Sequence, residues 1–288
     1  FIDPSVIKIG QIDKEIANIF KTIIIPNDAS LIEANAFLDC KSISRVIIPS
    51  NLKQICVNAF HNCTNLAEIT MNPFQTKIQS PILGNCTSLN TLIIDSPNLD
   101  TDQLFNEIIV NVSTISFPKS LKEIKSNSFK NLKKLKRIII PSDIKYIGHN
   151  SFTGCINLTE ITMDPYETKI ESNSFMECNS LYHLIIDSNV TSITRSNNII
   201  FSIIKEITIP SSVTTIDSNS FDGYLSLIQI NIPPSVKTIG IYAFANCRSL
   251  AQINLSNIIQ ISEKMFFNCN SISTIIIPNS VIVIESHS

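Results

Sequence analysis

Apolar residues recur along this chain in two alternating patterns. The first is a short run in which every second residue is isoleucine, as in Ile23 and Ile25, Ile138 and Ile140, or Ile207 and Ile209, with a more variable residue between them. That period of two marks a β-strand with one face buried, and β-branched side chains suit it. The residues that close these runs are Pro26, Pro49, Asn72, Asp95, Pro118, Pro141, Asp164, Asp187, Pro210, Pro233, Ser256 and Pro278. Ten of the eleven intervals between them are 23 residues and the last is 22. We number positions from this closing residue as 0, and repeats 1 to 12 from Pro26 to Pro278.

The second pattern follows the mark. Position +6 is nearly always Ile (Ile32, Ile55, Ile124, Ile147, Ile216). Position +11 is Phe (Phe37, Phe60, Phe129, Phe152, Phe175, Phe221, Phe244), and +14 is Cys or a substitute. Phe at +11, Cys at +14 and Leu at −6 of the next strand are three residues apart. That spacing predicts one face of a short helical turn, capped by the Ser-Asn-Ser stretches before several of the Phe residues. One such unit cannot bury its apolar face alone, so the units stack into a solenoid.

The unit L-x-x-I-x-I-P-x-x-V-x-x-I-x-x-x-A-F-x-x-C, clear in residues 43–65 and 227–249, closely resembles the BspA-type leucine-rich repeat over roughly residues 20–288. The expected fold is an α/β repeat solenoid. It is a leucine-rich-repeat horseshoe with about twelve parallel strands on the concave face and short helical turns or extended segments on the convex side. Residues 1–20 read as a degenerate N-terminal cap repeat. Residues 21–288 read as an array of about twelve 23-residue repeats, the last truncated at Ser288. Members of the family are mostly surface-exposed or secreted proteins of mucosal bacteria and protist parasites. The resemblance therefore implies a non-catalytic, protein-binding module for adhesion to host matrix or cell-surface proteins, at the cell surface or secreted. The alternative is an intracellular scaffold or regulatory region of a larger protein in the cytoplasm. The Asn-, Ile-, Ser- and Lys-rich composition hints at an AT-rich protist genome.

Two sets of departures stand out. Repeats 4 and 8 lose the Phe–Cys pair, predicting backbone irregularity near residues 97–110 and 188–202. Repeats 3 and 7 read Asn72-Pro73-Phe74 and Asp164-Pro165-Tyr166 after the strand. Residues 65–72 and 157–164 are near copies, 92 residues or four repeats apart, so the array reads as a duplicated four-repeat block.

Composition narrows the function classes. The chain of 288 residues is 44% hydrophobic and 16% charged, with net charge −2. Isoleucine outnumbers leucine about three to one, against the usual order, and the repeat accounts for that excess. A near-neutral charge argues against nucleic acid as a partner, and no apolar run reaches the ~20 residues of a membrane span. Six Gly and no Gly-rich phosphate loop argue against nucleotide cofactors. The four His share no ligand spacing with Cys or carboxylates, so neither metal nor other cofactor is expected. The N-x-[ST] matches are no more frequent than chance gives. The eight Cys mostly occupy the inward +14 column and read as buried free thiols rather than disulfides. Cys56, at +7, reads as the most exposed of them.

The candidate site is the concave face, where positions −5, −4 and −2 point to solvent. The −4 column brings Arg45 beside Glu68, Arg137 beside Glu160, and His183 beside Glu206. Opposite charges on adjacent strands should pair. The −2 column exposes Ile47, Ile93, Ile139 and Ile185, a row of apolar side chains of the kind that marks partner surfaces. Tyr182 and Lys205 at −5 complete the most chemically varied neighbourhood. The partner-binding candidates are thus Arg45, Ile47, Glu68, Ile93, Arg137, Ile139, Glu160, Tyr182, His183, Ile185, Lys205 and Glu206, with no catalytic or metal site.

Overall fold

A computed structural model of the chain describes residues 7–12, 19–73, 75–95, 111–255 and 257–287. The isoleucine runs form one parallel sheet. Among the described residues it has eleven strands, from Thr22–Ile24 to Gln252–Ile253, each hydrogen-bonded to its sequence neighbour. The register is one repeat throughout: Ile23 faces Val46, Ile69 faces Leu92, Ile138 faces Ile161, and Ile207 faces Ile230. The chain is a parallel-strand β-solenoid of about eleven turns.

A second set of two- to four-residue strands comes from positions near +6. Gln54–Ile55 pairs with Lys77–Ile78, Tyr146–Ile147 with Lys169–Ile170, and Thr215–Ile216 with Thr238–Ile239. Ile7–Ile9 joins this set, with Ile9 opposite Ile32, so the repeat frame already holds ahead of Pro26.

The core lies between the two sheets and the turn. The apolar side chains at −3, −1 and +6 are mostly buried, as in Val46, Ile48 and Ile55. Each contributes about 1.5–3 kcal/mol by leaving water. The +11 phenylalanines stack along the solenoid axis: Phe37 on Phe60 at 5.1 Å, Phe129 on Phe152 at 5.4 Å, Phe221 on Phe244 at 5.2 Å.

The expected helical convex side is overturned. The turns there are successive three-residue hydrogen-bonded bends, Ala36 N to Glu33 O, Leu38 N to Asn35 O and Cys40 N to Phe37 O. The three-residue spacing of Phe, Cys and Leu fits a helical face, but a stack of β-turns repeats at the same interval. The helix is blocked by a left-handed residue at +9 and another at +13, such as Asn58 and Asn62, or Asn127 and Asn131, with φ between 56° and 63°. Asn tolerates that conformation better than other non-glycine residues. Much of the asparagine in this chain thus has a conformational reason beside any genomic one.

The twelfth strand is also a correction. Residues 272–277 are not in a strand; Ile276 is 81% exposed, and Ile272 and Ile275 are half-buried. The one-residue-short interval after Ser256 falls ahead of Gln260, since Gln260–Ile261 pairs with Val283–Ile284 at 23 residues again.

The irregularity expected at 188–202 is present as a short 3-10 turn, Ile199–Ser202; the counterpart at 97–110 lies outside the described residues. At 198 the +11 column holds Asn instead of Phe. Its Nδ2 donates to the carbonyls of Pro165 (3.0 Å) and Thr168 (2.8 Å). The lost aromatic volume is restored from two sides. Phe201 packs on Tyr224 at 4.5 Å and on Tyr166 at 6.2 Å. Tyr166 reaches the core because the Asp164-Pro165-Tyr166 turn folds inward, with Asp164 accepting from the Tyr166 and Glu167 amides. The departures in repeats 7 and 8 are therefore one compensated change.

All eight cysteines are free. Cys56 is half-buried, as are Cys86 and Cys269, and accepts from Gln54 Nε2 at 3.2 Å.

Candidate binding surface

The strand register puts the −4 side chains in one line across the sheet. Arg45 stands opposite Glu68, which stands opposite Thr91. Farther along come Arg137, Glu160, His183, Glu206 and Gln229 in unbroken succession. Arg45 Nε lies 2.5 Å from Glu68 Oε1, and Arg137 Nε lies 3.7 Å from Glu160 Oε1. The arginine side chains are half to two-thirds exposed, so each pair adds at most about 1 kcal/mol. Their consequence is placement: each guanidinium is drawn along the ladder, leaving its remaining N–H groups to solvent.

His183 is held from both sides. Its Nδ1 is 3.5 Å from Glu160 Oε2, an ion pair when the ring is protonated, and its Nε2 shares a 2.9 Å hydrogen bond with Thr208 Oγ1. Arg137, Glu160, His183 and Thr208 form a continuous polar chain over four strands. Glu206 accepts from Asn231 Nδ2 at 3.2 Å. Thr208 and Asn231 sit at −2 on the strand after the residue they bind. Column-by-column reading missed them because it compared only directly opposed residues, whereas long side chains also reach the diagonal neighbour.

Ile139 is 49% exposed, whereas Ile47, Ile93 and Ile185 are half-buried. The apolar row at −2 is thus a set of low ridges between polar rungs. Tyr182 is exposed and its ring lies 6.1 Å from that of His183. Tyr182, Lys205 and Glu206 line a cleft of about 680 Å³ together with Ile203, Ile228 and Gln229. The structure therefore brings Arg137, Glu160, Tyr182, His183, Lys205 and Glu206 into one neighbourhood. Arg45 and Glu68 lie in a separate one, four strands away, or about 19 Å at ~4.8 Å per strand. Ile47 and Ile93 border the second neighbourhood, and Ile139 and Ile185 the first.

Among the described residues no three His, Cys, Asp or Glu converge as metal ligands, and no helix is long and apolar enough to cross a membrane.

A sheet of 23-residue rungs with this core defines a leucine-rich-repeat solenoid. The chain belongs to the BspA type leucine rich repeat region family, whose model matches residues 5–103, 101–197 and 200–288. Among solved structures it is similar to a leucine-rich cell surface protein from Faecalibacterium prausnitzii A2-165. The identity is 27% over 96% of this chain and 72% of that one, with a TM-score of 0.32. A leucine-rich repeat protein from Bacteroides ovatus is 23% identical over 91% and 82%, with a TM-score of 0.30. The T. pallidum leucine-rich repeat protein is 19% identical over 88% and 87%, with a TM-score of 0.27. No curated protein matches the chain.

Proposed function

We propose that this solenoid is a non-catalytic recognition module that binds a protein partner on its concave face, as a surface adhesion element facing host matrix or cell-surface proteins. The observation that carries this reading is the recurrence of one surface station. Arg45, Ile47, Glu68 and Thr70 are repeated 92 residues later as Arg137, Ile139, Glu160 and Thr162, in the same ladder register. A mixed face of guanidinium, carboxylate and ridged isoleucine suits a protein surface, where arginine and apolar contacts concentrate binding energy. The family supports a cell-surface or secreted location.

The test is solid-phase binding of the chain to immobilised extracellular-matrix proteins, with R45E/R137E alongside. Saturable binding that the double variant loses supports the reading; absence of saturable binding to all of them refutes the adhesion role. A second reading, an intracellular scaffold, is favoured by the eight free thiols, since oxidising compartments favour disulfides. Fractionation of the source cells separates the two.

A further inference from the structure

The net charge of −2 hides an uneven distribution. The stretch from Pro118 to Ile140 holds eight of the 22 Lys and Arg residues and one of the 24 Asp and Glu residues. Its bases fall on two sides of the rung. On one side Lys122 pairs with Asp143 at 2.9 Å, and on the next rung Lys145 pairs with Glu167 at 3.3 Å. On the other side Lys133, Lys134 and Lys136 are exposed. Lys134 Nζ donates to Asn111 Oδ1 at 2.9 Å. The amines of Lys133 and Lys136 meet no partner among the described residues. Arg137, next in the chain, turns to Glu160.

The three lysines lie on one edge of the sheet. Positions −8 to −5 run directly ahead of each sheet strand, and Lys136 precedes the strand Arg137–Ile139. Lys136 N donates to Ser113 O at 2.8 Å and Thr159 N to Lys136 O at 2.9 Å, so the edges stack rung on rung. In none of the twelve rungs do these four positions hold Asp or Glu. Beside the lysines the neighbouring rungs present Asn111, Ser113, Asn157 and Thr159. Lys41 stands four rungs to one side of Lys133, and Lys205 three rungs to the other side of Lys136, about 19 and 14 Å at ~4.8 Å per rung. The repeat itself asks for no base here: the place of Lys134 is Ser or Asn in nine of the other eleven rungs.

We propose that this edge binds a linear sulfated polysaccharide lying along the solenoid axis, with its sulfates at the lysine cluster. A local run of bases without carboxylates draws a polyanion even when the whole chain is near neutral. Sulfate esters stay ionised at any working pH, and sugar hydroxyls match the Ser, Thr and Asn side chains that flank the lysines. Other polyanions fit less well. Single-stranded nucleic acid needs aromatic platforms for its bases, and the flanking rungs put none on this edge. An acidic peptide finds no open strand to join, because the amide and carbonyl of Lys136 are already bonded. A bilayer is flat, whereas these bases follow one line. The edge is separate from the concave face, and the inference does not rest on the protein-binding reading of that face.

Isothermal titration of the full chain with a heparin decasaccharide, at about 0.1 M salt, tests the proposal. Saturable binding is expected. K133S/K134S/K136S, which installs the residue most other rungs carry at Lys134, should weaken it ~10-fold, the yield of three exposed ion pairs. K122S/K145S/K169S removes the same charge from the opposite side, where each lysine has a carboxylate partner, and should leave binding unchanged. Circular dichroism should be the same for all three chains. Fully desulfated heparin should not bind. No saturable binding of heparin, an equal loss in the two triple variants, or retention of desulfated heparin each overturns the proposal. So does binding of oligothymidylate, polyglutamate or phosphatidylserine vesicles as tight as that of heparin.

Discussion

The Sγ of Cys247 donates to the carbonyl oxygen of Phe221, 26 residues earlier, at 3.0 Å. The same bond joins Cys63 to Phe37, Cys86 to Phe60, Cys155 to Phe129 and Cys178 to Phe152. The +14 column thus needs a small apolar side chain that carries one weak donor, which is what a thiol is. Cys247→Val should lower stability by about 1 kcal/mol, because the Phe221 carbonyl keeps only its bond from the Tyr224 amide and the branch at Cβ crowds the core. Urea unfolding measures this, and a loss no larger than that of an exposed control substitution would deny the thiol any role beyond filling space.

Burial pushes two thiols near the C-terminal end up, Cys247 to about 12 and Cys269 to about 11, from an ordinary value of 9.0. In the unfolded chain they ionise near the ordinary value, so the protonated form is favoured by folding. Their contribution is fully present below about pH 9 and is lost as pH rises from there through 11 and 12. Denaturation midpoints should be level through pH 8 and fall steadily above pH 9. In C247A/C269A the alkaline decline should be shallower.

Asn127 holds φ at 63°, and among the described residues no side-chain hydrogen bond explains its identity. Asn127→Ala should cost about 1–2 kcal/mol from the strained left-handed backbone, while Asn127→Gly should be near neutral. Thermal unfolding of both variants separates conformational preference from side-chain contacts, which would make them equally harmful.

Phe152 lies between Phe129 and Phe175, with centroids at 5.4 and 5.2 Å, and is fully buried. Phe152→Ala should cost about 3–5 kcal/mol. Because a solenoid couples mainly nearest neighbours, hydrogen exchange should rise first in repeats 5 to 7 and least at the far ends. A uniform rise would mean the array unfolds as one unit.

Much of this architecture is legible in the chain because a period of 23 fixes register directly. The pairing of Arg45 with Glu68 and of Arg137 with Glu160 follows from counting alone. What resists such reading is backbone sign. The interval from Phe152 to Cys155 to Leu158 fits a helix and a stack of turns equally well, and only the left-handed residue at Gly154 decides between them. Diagonal contacts such as His183 with Thr208 need the sheet's geometry. The packing of Tyr166 against Phe201 needs the knowledge that an inward turn in one repeat fills a deficit in the next.

Between neighbouring turns the amide bonds run forward, Phe129 to Ser151, while the thiol bonds run backward, Cys155 to Phe129. Each turn therefore has a distinguishable front and back, and the stack is a directional polymer. Such a polymer can lengthen or shorten by whole units at any joint, since every new face meets its complement. It cannot accept an inverted unit, nor a fractional one except where slack exists, as in the shortened interval after Ser256. A lineage built on this unit can thus vary its reach in steps of one rung while its surface stations keep their spacing.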